Sequence, residues 1–523
     1  MSTHEITLYR GTFIHLPRLE GGLTTSKPKL IRNRGALWVS TLDGRIKGFD
    51  WDAHDESSFR ELMKIHGWID IEASQTNGNA DYVKVKIVTS NEERNEFFFP
   101  GFIDTHIHAP QYPNAGLFGS TTLLDWLETY TFPVESGFGK TNTTPSNKPE
   151  DAPPSALRVY DQVIARTLSH GTTCASYFAT VHVPATNALA ALAHKRGQRA
   201  FIGRVCMDNP SFCPEYYRDA SAEDSLESTK STIEYIHTLD PKGSLIKPIV
   251  TPRFAPTCSR PSLKALGSLA ASYSPPLHIQ THISENTNEV ALVKELFPEC
   301  SSYAGVYDEY NLLTERTILA HAVHLTPEER QLIQKQKAKV SHCPASNSAL
   351  GSGIALVRTM LQEGITVGLG TDVSGGYSSS ILEAVRQACL SSRLVGHTTK
   401  FANDKPLGEV SEKLSVEESL YLATRGGADV VCMGDDLGGF DNGMIFDAQL
   451  IQLGGVCEDV VSLDGNGNGE CGDGLKVRAG PAGNVDIFGT ETWEEKIQKW
   501  VWSGDDRNVK AVWVAGRMVH ERV

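Results

Sequence analysis

Two hydrophobic rhythms divide the chain. Over the first hundred residues, short runs alternate apolar with polar positions and end at turn residues. Examples are Ala36–Ser40, which runs into a Leu-Asp-Gly-Arg turn, and Tyr82-Val-Lys-Val-Lys-Ile-Val88. A period of two sends successive side chains to opposite faces, so these runs predict half-buried strands. Between them Trp51–Asn79 is polar and irregular, with one short helix predicted around Ser58–His66. From about Phe97 the rhythm changes. Short β-rich apolar runs now alternate with amphipathic stretches, the pattern of βα units on a parallel sheet. Strands are predicted at Phe98–Ile107, Thr172–Phe178, Ala200–Cys206, Lys247–Thr251, Leu277–Thr281, Thr317–Ala320, Lys339–His342 and Thr366–Gly370. Helices are predicted in the gaps at Ala156–Ser169, Ala188–Arg196, Ser221–His237, Pro327–Gln336 and Ile354–Glu363. Eight such units over roughly 330 residues fit an α/β fold of the (β/α)8 TIM-barrel type with insertions. An open doubly wound sheet is the alternative, because strand count alone does not establish closure.

The tail returns to period two at Phe446–Leu453 and Val509–Val519, the latter with a Gly-centred turn. Strands from the two ends are therefore expected to pair in one smaller, β-sandwich-like domain. The expected division is 1–96 and 438–523 for that domain and 97–437 for the barrel. A Gly-, Asp- and Asn-rich insertion near 454–483 reads as a surface loop. Its run Asp464-Gly-Asn-Gly-Asn-Gly-Glu-Cys-Gly-Asp473 lacks the spacing and flanking helices of a calcium-binding EF-hand.

Composition narrows the class. The 523 residues are 40% hydrophobic and 21% charged, an ordinary globular balance with a formal net charge of -14. Such a chain is repelled by phosphate backbones, and no cluster of Lys and Arg offsets this, so nucleic acid is not an expected partner. No window approaches the roughly 20 apolar residues that span a bilayer, and the first residues lack a signal pattern, so a cytoplasmic location without membrane attachment is expected. The ten cysteines form no C-x-x-C pair and are read as reduced thiols, although Cys457 and Cys471 could meet across their loop.

Active sites of this barrel are built at the carboxyl ends of its strands, so the residues there decide the chemistry. The first strand ends in Asp104-Thr-His-Ile-His108. Residues i and i+2 of a strand share a face, so His106 and His108 project together, as two neutral imidazoles suited to a metal. Among 17 histidines one such pair is unspecific. Three further strand ends add to it: His282 with Glu285 three residues on, His321, and Asp372 after Leu369-Gly-Thr. Glu285 is also placed to serve as a helix N-cap or first-turn acid. Lys247 opens its strand rather than closing it, which argues against a binuclear site bridged by a lysine there.

Several segments make the pattern specific. Pro100-Gly-Phe-Ile-Asp-Thr-His-Ile-His-Ala-Pro-Gln111, His282-Ile-Ser-Glu285 and Gly370-Thr-Asp372 resemble the amidohydrolase superfamily, with its triazine-hydrolase-like, metal-dependent members. Within it, the chain is similar to the eukaryotic-type guanine deaminases through stretches running nearly end to end. Among these are Trp126-Leu-Glu-Thr-Tyr-Thr-Phe-Pro133, Lys247-Pro-Ile-Val-Thr-Pro-Arg-Phe254 and His342-Cys-Pro-Ala-Ser-Asn347. It departs from them by insertions at about 51–79, 139–154 and 454–483.

The resemblance implies one zinc ion per chain, held by His106, His108, His282 and Asp372, with a water completing the shell. It implies Glu285 as proton carrier, His321 as hydrogen-bond partner of the attacking oxygen, and Asp372 as a catalytic residue that also orients that oxygen. It places Arg253 on the purine carbonyl and Gln111 on ring nitrogens, with Phe254, His282 and His321 beside them. The implied reaction is hydrolysis of guanine to xanthine and ammonia by a homodimer. The alternatives are a mononuclear relative acting on another purine or a triazine-like ring, and a non-catalytic scaffold on the same fold. For Arg253 a surface ion pair, and for Gln111 polar loop packing, are the competing structural roles.

Overall fold

The computed structural model describes residues 5–24, 26–72, 83–139, 146–397, 412–456 and 484–522. Cys457, Cys471 and the run 464–473 lie outside them.

Eight parallel strands follow one another in chain order around a barrel: Phe102–His108, Thr172–Phe178, Arg199–Gly203, Ile246–Pro252, His278–Ile283, Thr317–His321, Lys339–His342 and Val367–Leu369. A two-residue strand, Val205–Cys206, extends the third and pairs with Thr251 and Pro252. The ring closes between its first and last members just where the sequence points to chemistry. The Asp372 amide donates to His106 O (2.9 Å), and the His108 amide donates to Val373 O (3.0 Å). Asp104 reinforces the seam, since its carboxylate accepts from the backbone amides of Thr371 (3.0 Å) and His106 (3.2 Å) and from the Thr371 hydroxyl. Closure removes the sheet edges and fixes strand ends one to another, and the open-sheet alternative falls with it.

The barrel helices bury apolar faces against the strands and carry strong start signals. Pro327–Gln336 begins with Thr326 accepting from the Glu329 amide while Glu329 reaches back to the Thr326 amide, the reciprocal capping box. Val183–Arg196 ends on Gly197 in the left-handed region (φ 78°), where a side chain would be strained.

One expected strand divides in two. The run Phe98–Ile107 reads as a single barrel strand, but the structure breaks it at Gly101. Glu96–Pro100 runs antiparallel to Ala448–Gln452 in the other sheet, and only Phe102–His108 enters the barrel. Hydrophobicity on both sides hides the break, because Phe97 and Phe99 before it and Phe102 after it are buried in one core, with Phe98 in another.

That other sheet has nine mixed strands drawn from both ends of the chain, with Arg517–Glu521, Val509–Val514, Ala448–Gln452, Glu96–Pro100, Ile6–His15, Ile31–Ser40 and Ile46–Asp50 as its main path. Tyr9, Phe13, Phe98, Phe446 and Trp513 form its aromatic core. A buried ion pair ties it to the barrel: Arg199 Nε and one terminal nitrogen lie 3.2 Å from the two oxygens of Asp447. The strand-rich reading of the tail does not anticipate a helix at Trp493–Ser503, although Ile497, Trp500 and Val501 have helical spacing. Trp500 packs edge-on to Phe97 and Phe99 and stacks over Phe102. Among the described residues no helix is long and apolar enough to cross a membrane.

Candidate active site

At the carboxyl end of the barrel the predicted residues converge. His106 and His108 leave the first strand, His282 the fifth and His321 the sixth; Asp372 stands three residues beyond the eighth. The ladder sets their levels, with His282 opposite Ala320 and His321 opposite Ile283. His106 Nε2 lies 3.1 Å from Asp372 Oδ1, His108 Nε2 lies 3.4 Å from the same oxygen, and His108 Nε2 lies 3.1 Å from His282 Nε2. Single donor atoms of His106, His282, His321 and Asp372 all fall within 4.8 Å of one another. The backbone is held out of its usual range here: Ser284, His321, Ala322 and Asp372 all have positive φ. Such residues cost about 1–3 kcal/mol each and persist where the surroundings over-determine them.

The donor set fits a cation. The His282 Nδ1–H donates to Arg253 O (2.6 Å), which leaves its Nε2 as a lone pair aimed at His108. His106 Nε2 is buried and faces Asp372 Oδ1 without a well-aligned hydrogen bond. Buried acceptor nitrogens and a carboxylate facing one another at these distances are satisfied by a positive charge among them. The separations of 3.1–3.4 Å also match the edge of a tetrahedron with bonds of about 2.1 Å. Burial pushes the His108 and His282 imidazoles well below their ordinary pKa. Burial alone would raise Asp372, but His106, His321 and His108 hold its carboxyl far below the usual range.

Glu285 settles between its two predicted roles. The helix Thr287–Leu296 is capped by Asn286, with Glu289 as its capping-box partner, so Glu285 is no cap. Its buried carboxylate faces His321 Nε2 at 3.3 Å and accepts from the Ser352 hydroxyl at 3.1 Å. Burial pushes its pKa up to about 7. The other side of His321 is fixed, since its Nδ1 meets Asn347 Oδ1 at 2.9 Å. Burial works against protonating His321, but Glu285 and Asp372 outweigh it and raise its pKa.

His108, His282, Glu285, His321 and Asp372 line one wall of a cavity of about 390 Å³, mouth included. Leu123, Trp126, Leu127, Phe254 and Leu350 supply apolar walls, and Gln111 and Arg253 face the cavity from beyond the first and fourth strands. Arg253 is not in a surface ion pair: it is 2% exposed and forms a bidentate pair with Glu135, which is fully buried. Its guanidinium lies over the Phe132 ring at 5.3 Å. Gln111, 1% exposed, donates to the same carboxylate at 2.8 Å. Lys247 lies toward the opposite end of its strand, with Nζ near Met433 Sδ. Sequence reasoning misses Glu135, Asn347, Ser352 and Tyr217. Asn347 lies within a motif already noted, and an acid two residues past Trp126–Pro133 was the available signal for Glu135.

Comparison with known proteins agrees with this geometry. The profile of the Amidohydrolase family matches residues 97–519. A protein described as a probable guanine deaminase from Schizosaccharomyces pombe is 48% identical over 424 residues, covering 81% of this chain and 71% of that protein. The guanine deaminase of Dictyostelium discoideum is 38% identical over 515 residues, 98% of each chain. A crystal structure of guanine deaminase from C. acetobutylicum with guanine bound in its active site superposes with a TM-score of 0.74 at 28% identity, covering 98% of this chain and all of that one. With the family profile reaching from strand Glu96–Pro100, just before the barrel, into the final strand of the terminal sheet, and with histidines and an aspartate gathered at one barrel mouth, this chain belongs to the amidohydrolase family.

Proposed function

We propose that this chain hydrolyses guanine to xanthine and ammonia with one zinc ion per chain. The observation that carries the reading is a single cavity with a cation-ready donor set on one wall and a planar N–H donor pair, Arg253 and Gln111, on another. The guanine deaminase names of relatives up to 48% identical support the substrate.

In this reading His106, His108, His282 and Asp372 hold the ion, which when bound lowers the pKa of a water in the site into the neutral range. The chain's own groups move the protons. Guanine lies flat between the apolar walls, its carbonyl oxygen accepting from Arg253 and its ring nitrogens meeting Gln111, with Phe254, His282 and His321 at its edge. The water oxygen adds to C2 while Glu285 takes one of its protons and passes it to the adjacent ring nitrogen. The remaining hydroxyl proton goes to the exocyclic amine, the C–N bond breaks and ammonia leaves, so the elements of one water are consumed and Glu285 ends as it began. A buried carboxylate in reach of both the water and the ring serves both directions of this transfer. His321 and Asp372 orient the attacking oxygen. We assign the barrel domain to 102–437, five residues later than the sequence boundary, and 1–100 with 438–523 to the small domain, because strand Glu96–Pro100 pairs there. The same reading makes the enzyme a cytoplasmic homodimer.

The test is bound metal per chain together with ammonia release from a panel of purines and triazines. The expected result is near one zinc and turnover of guanine above the other rings, lost on chelation and restored by zinc. A metal-loaded protein that leaves guanine intact refutes the reading.

A further inference from the structure

Glu135 does not line the cavity, yet both side chains that face the cavity as donors rest on it. Its Oε1 accepts from Gln111 Nε2 (2.8 Å) and one terminal nitrogen of Arg253 (3.2 Å); its Oε2 accepts from the other terminal nitrogen (2.7 Å) and the Tyr217 hydroxyl (2.6 Å). We propose that Glu135 is the positioning residue for ring recognition, a buried carboxylate that sets the plane of Arg253 and the amide orientation of Gln111 and so lets the site select rings that carry a carbonyl oxygen. The proposal rests on the reading that a guanine-like ring fills the cavity.

Three features favour this role over a plain structural ion pair. First, Gln111 is locked at both ends of its amide, since its oxygen accepts from the Ser374 amide at 3.3 Å while its nitrogen donates to Glu135. Turning the amide over would set two acceptors against each other, so a nitrogen is held where a second N–H remains for a ligand. Second, a bidentate carboxylate fixes the guanidinium plane and uses two of its five N–H groups. The charge of Arg253 is matched behind the wall, so the cavity meets donors without an uncompensated cation. That arrangement suits a neutral ring bearing acceptors. Third, one segment builds both the clamp and the wall. Leu123, Trp126 and Leu127 line the cavity, a π-helical turn spans Leu127–Thr131, and the helix Phe132–Ser136 supplies the ring beneath Arg253 and the carboxylate beside it. The wide turn re-aims the chain so that Phe132 and Glu135 reach the same guanidinium.

Replacing Glu135 by glutamine keeps the shape and breaks the logic. An amide nitrogen at either oxygen position faces an Arg253 N–H, so the fork loses one arm in both orientations. The experiment uses metal-loaded protein and two rings that lack the exocyclic amine: hypoxanthine, which carries the ring oxygen, and purine, which does not. In the unaltered protein hypoxanthine is expected to bind more tightly. In Glu135→Gln its Kd rises about 30-fold, the scale of one charge-assisted hydrogen bond, while that of purine changes less than about threefold. Metal content and thermal midpoint report folding. If Glu135→Gln does not fold, Glu135→Asp decides. It keeps the charge but retreats by one methylene, and the same preference should shrink by about fivefold. Equal weakening of both rings, or an undiminished preference for hypoxanthine, overturns the proposal, as does an unaltered protein that binds the two alike. Failure of the guanine reading is seen separately, as metal-loaded unaltered protein that releases no ammonia from guanine.

Discussion

On the metal side of the cavity His108, His282 and His321, with His106 behind them, are strand residues, and the backbone that carries His106 and His108 also closes the barrel through Asp372 and Val373. On the opposite wall Gln111 and Arg253 stand beyond strand ends, as does Glu135 behind them, and the two wall residues are positioned by side-chain bonds to that one carboxylate. The first wall is as rigid as the barrel. The second is as well placed as one buried ion pair, and replacing one member misplaces the others. Chemistry and selection are therefore separable in this molecule. Changes on the metal side should act on kcat, and changes on the opposite side should act on KM and ring preference.

The largest effect should come from Glu285→Gln, which removes the proton carrier but leaves every proposed metal donor in place. Loss of a general acid–base group costs about 10²–10⁴ in rate. The expected outcome is that much loss in kcat for guanine, with metal content unchanged and KM within about threefold. An active variant would show that the proton moves by another route, and a metal-free variant would show that Glu285 belongs to the donor set.

The same contrast explains what the sequence discloses. The donors of the metal side are legible because each obeys a local rule: i and i+2 share a strand face, and strand ends of a barrel meet. Closure, capping of Thr287–Leu296 by Asn286, and the positive φ at His321 and Asp372 are refinements of positions already marked. The opposite wall follows no local rule. Glu135 is 118 residues from Arg253 and 24 from Gln111, and an acid after Phe132-Pro-Val looks like any helix-end carboxylate until the fold buries it. Arg253 is visible as a residue, but not its partner, so a surface pair and a ligand contact read alike. The division at Gly101 is hidden for a related reason, because buried phenylalanines stand on both sides of Pro100-Gly101 and Phe97, Phe99 and Phe102 share one core across it.

Arg253→Lys tests the opposite wall at intermediate size. Lysine keeps the charge beside Glu135, so the buried carboxylate stays matched, but it offers a point charge in place of a flat fork. KM for guanine is expected to rise about 30-fold with kcat within about threefold, since the groups around Glu285 are untouched. An equal fall in kcat with unchanged KM would join the two walls into one unit and break the comparison.

The smallest expected effect probes the clamp from behind. Tyr217 donates its hydroxyl to Glu135 Oε2, on the far side from the cavity, and it does not line the cavity itself. Tyr217→Phe removes that donor and little else, because Glu135 keeps both arms of Arg253 and the Gln111 amide. The carboxylate is then free to pivot about the Arg253 axis, and the loss is one hydrogen bond of about 1 kcal/mol. If Glu135 positions the recognition groups, this loss appears in steady-state kinetics as a roughly fivefold higher KM for guanine with kcat preserved. If the tyrosine only fills space, KM does not move and the thermal midpoint alone falls. The two outcomes differ in which number changes, so even a small effect decides whether precision on this wall is passed from Tyr217 through Glu135 to the ring.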